Sequence, residues 1–127
     1  MPVILSGGIS SDERAVAAFE HSGAEALMLA RGSLGNPWRF ERLLGTREGE
    51  PSTQEVLDEL LWTIAGAEEH LGPERAGRWL RKAYPWFAER LELAKPLQQR
   101  LVGAPDTAAA RAAIEVIRSG EPAALAA

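Results

Sequence analysis

The 127-residue chain contains no cysteine. Disulfides, thiolate metal sites and a cysteine nucleophile or general acid are therefore excluded on these residues. The absence fits a reducing compartment, and a cytoplasmic location is expected. Histidine is scarce: His21 and His70 each precede a glycine near a helix end, where a cation interacts well with the helix dipole. Neither has a second ligand at metal spacing, so no metal is expected. No apolar run approaches the ~18 residues of a membrane span. No charged segment leading into an apolar core opens the chain, so no signal peptide is expected. Net charge is only −4, so any nucleic-acid surface must come from local clustering. Nucleotide fingerprints are missing too: Ser6-Gly7-Gly8 is not G-x-G-x-x-G, and there is no Walker sequence.

What is present is a chain of two characters. Residues 1–50 read as strand, helix, strand. The apolar run Pro2-Val3-Ile4-Leu5 ends at Ser6-Gly7-Gly8, and Ala26-Leu27-Met28-Leu29-Ala30 ends at Arg31-Gly32. Runs apolar on both faces suit buried parallel strands. Between them, Ser10 and Glu13 have capping-box spacing, Asp12 falls in the first turn, and Ala15, Val16 and Phe19 form an apolar stripe. Gly23 stops the helix. A lone βαβ unit leaves a sheet face and both edges uncovered. This half therefore reads as a piece cut from a larger α/β fold, and poor solubility or self-association is expected.

Residues 51–127 contain no convincing strand. Ser52 and Glu55 make a capping box, and Val56, Leu57, Leu60, Leu61 and Ile64 form an amphipathic stripe. Pro73 suits the first turn of a second helix carrying Trp79, Leu80 and Ala83, which Pro85 should kink or break. Pro96 can start a short helix that Gly103 ends, and Asp106 can cap a last one reaching about Arg118. The tail after Gly120 is expected to fray. Gly45, Gly49 and Pro51 mark the boundary. The expected fold class is α/β plus all-α: a βαβ piece over residues 1–48, then a small helical bundle over 49–127.

Two features carry chemistry. The loops Ser6-Gly7-Gly8-Ile9 and Ala30-Arg31-Gly32-Ser33-Leu34-Gly35 follow consecutive strands. Glycine lets main-chain N–H groups approach an anion, and Arg31 adds a forked cation. Phosphate sites of (β/α)₈ barrels are often built from the loops after strands 7 and 8. Each loop alone fits a tight βα turn as well; the two together favour phosphate. The second feature is basic. Arg75, Arg78, Arg81 and Lys82 occupy residues 75–82 without an acid, and residues 74–100 hold seven Lys/Arg against three Asp/Glu. Positions 75, 78 and 82 would share a helical face. Arginine forks suit RNA phosphates, and aromatics among them can stack on bases. Trp79 reads as core, whereas Tyr84 and Trp86 could be core or stacking residues. Trp38 and Trp62 read as packing residues, and the adjacent acids Asp58-Glu59 and Glu68-Glu69 as a solvated helix face.

Taken in order, Pro2 to Ile9, Gly23 to Gly32, Gly35-Asn36-Pro37-Trp38-Arg39-Phe40 and Arg78-Trp79-Leu80-Arg81-Lys82-Ala83-Tyr84-Pro85-Trp86-Phe87 resemble the C-terminal part of bacterial tRNA-dihydrouridine synthases, to about residue 117. The resemblance implies the end of an FMN-binding TIM barrel followed by a helical tRNA-binding domain, in an enzyme that uses NADPH to reduce uridine in tRNA. Ser6, Gly7, Gly8, Ala30 and Arg31 would hold the flavin phosphate. Arg75, Arg78, Arg81 and Lys82 would face tRNA. The family's catalytic cysteine and flavin-binding lysine belong to earlier barrel loops and have no counterpart here. No catalytic residue is assigned, and these residues alone should be inactive. Met1 stands where the family has an ordinary strand residue, which implies a shortened reading frame or a cut piece. A stand-alone tRNA-binding module, an inert remnant, or part of another FMN-dependent barrel oxidoreductase are the alternatives.

Overall fold

The computed structural model describes residues 1–120. The chain forms two compact units that divide between Glu50 and Pro51. The expected fraying after Gly120 lies outside the described residues.

The first unit is a βαβ unit with a short extra helix. Strands β1 (Ile4–Ser6) and β2 (Ala26–Met28) pair in parallel, Ile4 opposite Ala26 and Ser6 opposite Met28. Helix α1 (Asp12–Ser22) connects them and ends at Gly23 in the left-handed conformation. Its cap is Ser11, not Ser10: Ser11 is extended, and its hydroxyl accepts from the Arg14 N–H, whereas the Ser10 N–H is committed to a turn onto the Gly8 carbonyl. A 3-10 turn (Arg31–Ser33) and a six-residue helix, α2 (Trp38–Leu43), follow β2. Sequence pattern misses α2 because six residues cannot display a helical repeat.

The strands are not buried as their apolar sequences predict. Ile4 is 65% and Met28 53% exposed, and Val16 and Phe19 of α1 are exposed too. Parallel strands need a covering layer on each face. Among the described residues α1 packs on both strands and α2 packs on α1, and the buried apolar residues are Ile9, Ala15, Ala24 and Trp38.

The second unit is entirely helical among the described residues: α3 (Thr53–Leu71), α4 (Pro73–Leu80), α5 (Tyr84–Arg90), α6 (Lys95–Val102) and α7 (Thr107–Ser119). The Ser52–Glu55 capping box starts α3, Glu55 N–H donating to the Ser52 hydroxyl and Ser52 N–H to the Glu55 carboxylate. Asp106 caps α7 through the Ala109 N–H. The core joins Leu57, Leu60 and Ile64 of α3 to Leu80, Tyr84, Phe87, Leu101 and Ile114. Gly77 of α4 faces the start of α7, where a Cβ would make ordinary contact at 3.6 Å with the Asp106 Cα.

Three expectations are corrected in this unit. Trp62 is 72% exposed, because it stands two residues after Leu60 and so points away from the buried stripe. Trp79 is 50% exposed: the buried stripe of α4 is Ala76, Gly77 and Leu80, and Trp79 lies on its flank. The acids of α3 are not simply solvated. Arg111 donates to Glu68 at 2.8 Å and Arg118 to Asp58 at 2.7 Å, which fastens α7 to α3. Pro85 acts as expected. It sits in the first turn of α5, and the chain turns at 81–83 rather than continuing α4.

Tyr84 is 1% exposed and its hydroxyl has no hydrogen-bond partner. Burial, with the nearby Glu68 carboxylate, pushes that hydroxyl up to about 12 from the ordinary 10.0. A raised folded value means that the neutral phenol's contribution to stability is complete below about pH 10 and lost as the pH climbs through about 12. Urea melts of the helical unit should lose on the order of 2 kcal/mol over that interval. Tyr84→Phe should match the parent at pH 7 and lack the alkaline loss attributable to this group. An identical alkaline curve in the variant would refute the assignment.

Candidate functional site

The register of the parallel pair decides the geometry of the first site. Ser6 and Met28 face each other, so both strands end at the same sheet edge and their loops begin side by side. Ser6 closes β1, and Gly7 and Gly8 follow with φ of 105° and 65°, values that a side chain would strain. A Cβ at either glycine would meet no protein atom within 4 Å. In the second loop Ala30 precedes the 3-10 turn that Arg31 opens. Its shape is held by the Ser33 hydroxyl, which donates to the Leu29 and Ala30 carbonyls at 3.2 and 2.9 Å. The turns are closed by the N–H groups of Ser10, Ser33, Leu34 and Asn36; those of Gly8, Arg31 and Gly32 are not among them. Arg31 is exposed and makes no ion pair among the described residues. Main-chain donors on loops that also carry an exposed arginine fit a phosphate group.

Beneath the loops lies a group that sequence reasoning missed. Arg39, buried at the start of α2, donates from Nε to Asp12 at 2.8 Å, from Nη1 to the Gly32 carbonyl at 2.7 Å and from Nη2 to the Ser10 carbonyl at 2.7 Å. Arg42 donates to the other Asp12 oxygen at 2.7 Å and pairs with Glu50. One guanidinium thus ties the first loop, the second loop and the first turn of α1 together. Gly32 is glycine for this reason: a Cβ would stand 2.6 Å from the Ile9 carbonyl oxygen and collide with Nη1 of Arg39. The available signal was the pair Arg39 and Arg42 three apart, with Asp12 as an unclaimed acid.

The second site is the basic surface of the helical unit. Arg75 and Arg78 lie on α4, but α4 ends at Leu80, so Arg81 and Lys82 sit in the turn and not on one continuous helical face. All four are exposed. Arg78 reaches Glu74 at 3.5 Å, a surface pair worth little. Arg81 donates to the Pro105 carbonyl at 3.3 Å, while Arg75 and Lys82 make no ion pair among the described residues. Trp79 and Trp86 are partly exposed among them, and Tyr84 is withdrawn into the core.

No group of His, Asp and Glu able to hold a metal occurs among the described residues, and none of their helices is long and apolar enough to cross a membrane. The family profile described as Dihydrouridine synthase (Dus) matches residues 1–119. The chain is 33% identical over 97 residues to the tRNA-dihydrouridine synthase B of Pasteurella multocida, covering 72% of this chain and 29% of that protein. It is 34% identical over 104 residues to the tRNA-dihydrouridine synthase B of Vibrio parahaemolyticus, covering 78% and 32%. It is 31% identical over 119 residues to the probable tRNA-dihydrouridine synthase of Rhodobacter capsulatus, covering 90% and 36%. The chain spans about a third of the length of these curated relatives.

Hydrogen bonds from Arg42 and then Arg39 hold the Asp12 carboxyl below its ordinary 3.8, against the opposing effect of burial. A depressed folded value contributes stability above about pH 4 that is lost as the pH falls through that folded value. Asp12→Asn should cost the first unit about 2 kcal/mol at neutral pH and flatten its acid unfolding below pH 4. A variant as stable as the parent, with the same acid limb, would rule out the carboxylate as the keystone of this cluster.

Proposed function

Because the chain belongs to the dihydrouridine synthase family, we propose that it is the C-terminal part of a tRNA-dihydrouridine synthase, an FMN-dependent enzyme that reduces uridine in tRNA to 5,6-dihydrouridine with NADPH as the reductant. The first unit is the end of a TIM barrel and the second a helical tRNA-binding domain. The observation that carries this reading is the pair of glycine loops at the same end of two parallel strands, the second loop carrying Arg31, which is exposed and makes no ion pair among the described residues. Ser6, Gly7, Gly8, Ala30 and Arg31 hold the flavin phosphate. Bound flavin supplies hydride transfer. The residues of this chain anchor its phosphate end, while the proton donor to the uracil ring belongs to the part of the enzyme that these residues do not include. Exposed apolar residues on the strands, such as Ile4 and Met28, support a barrel in which further elements cover them.

The helical unit contributes affinity for the substrate. Arg75, Arg78, Arg81 and Lys82 contact tRNA phosphates, and Trp79, half exposed beside them, offers a ring face to an unstacked base. The whole protein should purify with FMN and restore dihydrouridine to the tRNA of a strain that lacks it, read by mass spectrometry of digested tRNA. Absence of both would refute the assignment. Replacing Arg75, Arg78, Arg81 and Lys82 together by Ala should weaken tRNA binding and reduce the salt slope by about 1 per phosphate contact removed. Unchanged affinity and slope would place the tRNA surface elsewhere.

A further inference from the structure

Resting on the flavin-phosphate reading above, we propose that Arg39 is a positioning residue for the phosphate site: it sets the spacing of the two loops without touching the ligand. The Ser10 and Gly32 carbonyls belong to different loops, yet both are bound at 2.7 Å by the two terminal nitrogens of one guanidinium. That group is planar, so the separation of its two hydrogen-bonding arms is covalently fixed. Its Nε is anchored on Asp12, which Arg42 holds from the other side. The loops therefore present their N–H groups at a preset distance before a ligand arrives, and preorganisation of this kind raises affinity by lowering the ordering cost of binding. Arg39 is buried, with each of its three nitrogens bonded inside the unit, so it acts through the loops and not as a phosphate ligand. Exposed Arg31 is the cation left for that role. Lysine cannot replace Arg39, since a single ammonium offers no fixed fork.

The proposal separates from a merely structural role through the phosphate itself. FMN and riboflavin share the ring and ribityl chain, and only FMN bears the phosphate. Binding of each to the deflavinated full-length protein is measured by quenching of flavin fluorescence, for the parent, Arg39→Lys and Asp12→Asn. Arg39→Lys should weaken FMN by about 10–100-fold, the range seen when outer partners of metal ligands are removed, and leave riboflavin affinity unchanged. Asp12→Asn, which keeps both carbonyl bonds but replaces the charged anchor by a neutral amide with one acceptor oxygen for two arginines, should shift the FMN-to-riboflavin ratio in the same direction by less. It also decides the matter if Arg39→Lys does not fold. Equal weakening of both flavins, or an unchanged ratio in the folded variants, overturns the positioning role. A parent that binds riboflavin as tightly as FMN overturns the phosphate-site reading itself, a result distinct from any behaviour of the variants.

Discussion

The first unit depends on a buried charge that had to be satisfied. The Arg39 side chain is 8% exposed, and an arginine taken out of water is costly unless its donors are paired. It finds a carboxylate and two main-chain carbonyls, which use all three of its nitrogens. Much of the local structure follows. Asp12 must stand in the first turn of α1, so the cap falls on Ser11. Gly32 must lack a side chain. The Gly35-Asn36-Pro37 turn must bring α2 back against the loops, and it does so through the Asn36 N–H bonded to the Ser33 carbonyl and the Arg39 N–H bonded to the Asn36 carbonyl. A unit with only two three-residue strands has little sheet to hold it, and this polar network takes the place that packing has in a larger core.

The helical unit rests on different physics. Its stability comes from one apolar stripe on α3 and the short helices that cover it, with capping where long-range packing is thin. The ion pairs between α3 and α7 differ in weight. Glu68 is only 28% exposed at its side chain, and hydrogen bonds from Thr107 and Arg111 hold its carboxyl below the usual range, so it fixes the two helices in register. Asp58 is well exposed, and its bond to Arg118 contributes less.

The legible parts of the sequence were those governed by local rules. The Ser52–Glu55 box, the Asp106 cap, the stop at Gly23 and the break at Pro85 each rest on a few adjacent residues, and each stands in the structure. The α3 stripe was legible because nineteen residues display a full helical repeat. The failures share a cause. Ser10 and Ser11 both satisfied the capping rule, and only the long-range demand on Asp12 separates them. Trp62 and Trp79 read as inward because they adjoin Leu60, Leu61 and Leu80, although angular position on the helix sends one to solvent and the other to the flank. Arg39 was invisible because its three partners lie between seven and 29 residues away. The glycines of the loops were seen, but the reason Gly32 is glycine lies in a side chain that sequence reading had not connected to it.

An acidic chain can present a surface for a polyanion when its acids are paired locally and its cations are not. Net charge describes the field only at distances where charges are unscreened, and at physiological salt that distance is about 8 Å. Within it, pairing counts more than totals. Asp12, Glu68 and Asp58 are each committed to an arginine inside their own unit. Arg75 and Lys82 have no such partner among the described residues, and Arg78 has only a loose one. On the proposed reading, an approaching RNA would meet a locally positive face, with Trp79 already placed to receive a base. The break at Pro85 ends α4 early and turns Arg81 and Lys82 off its axis, which widens the basic surface beyond the width of one helix. A continuous helix through residue 82 would have offered a narrower stripe.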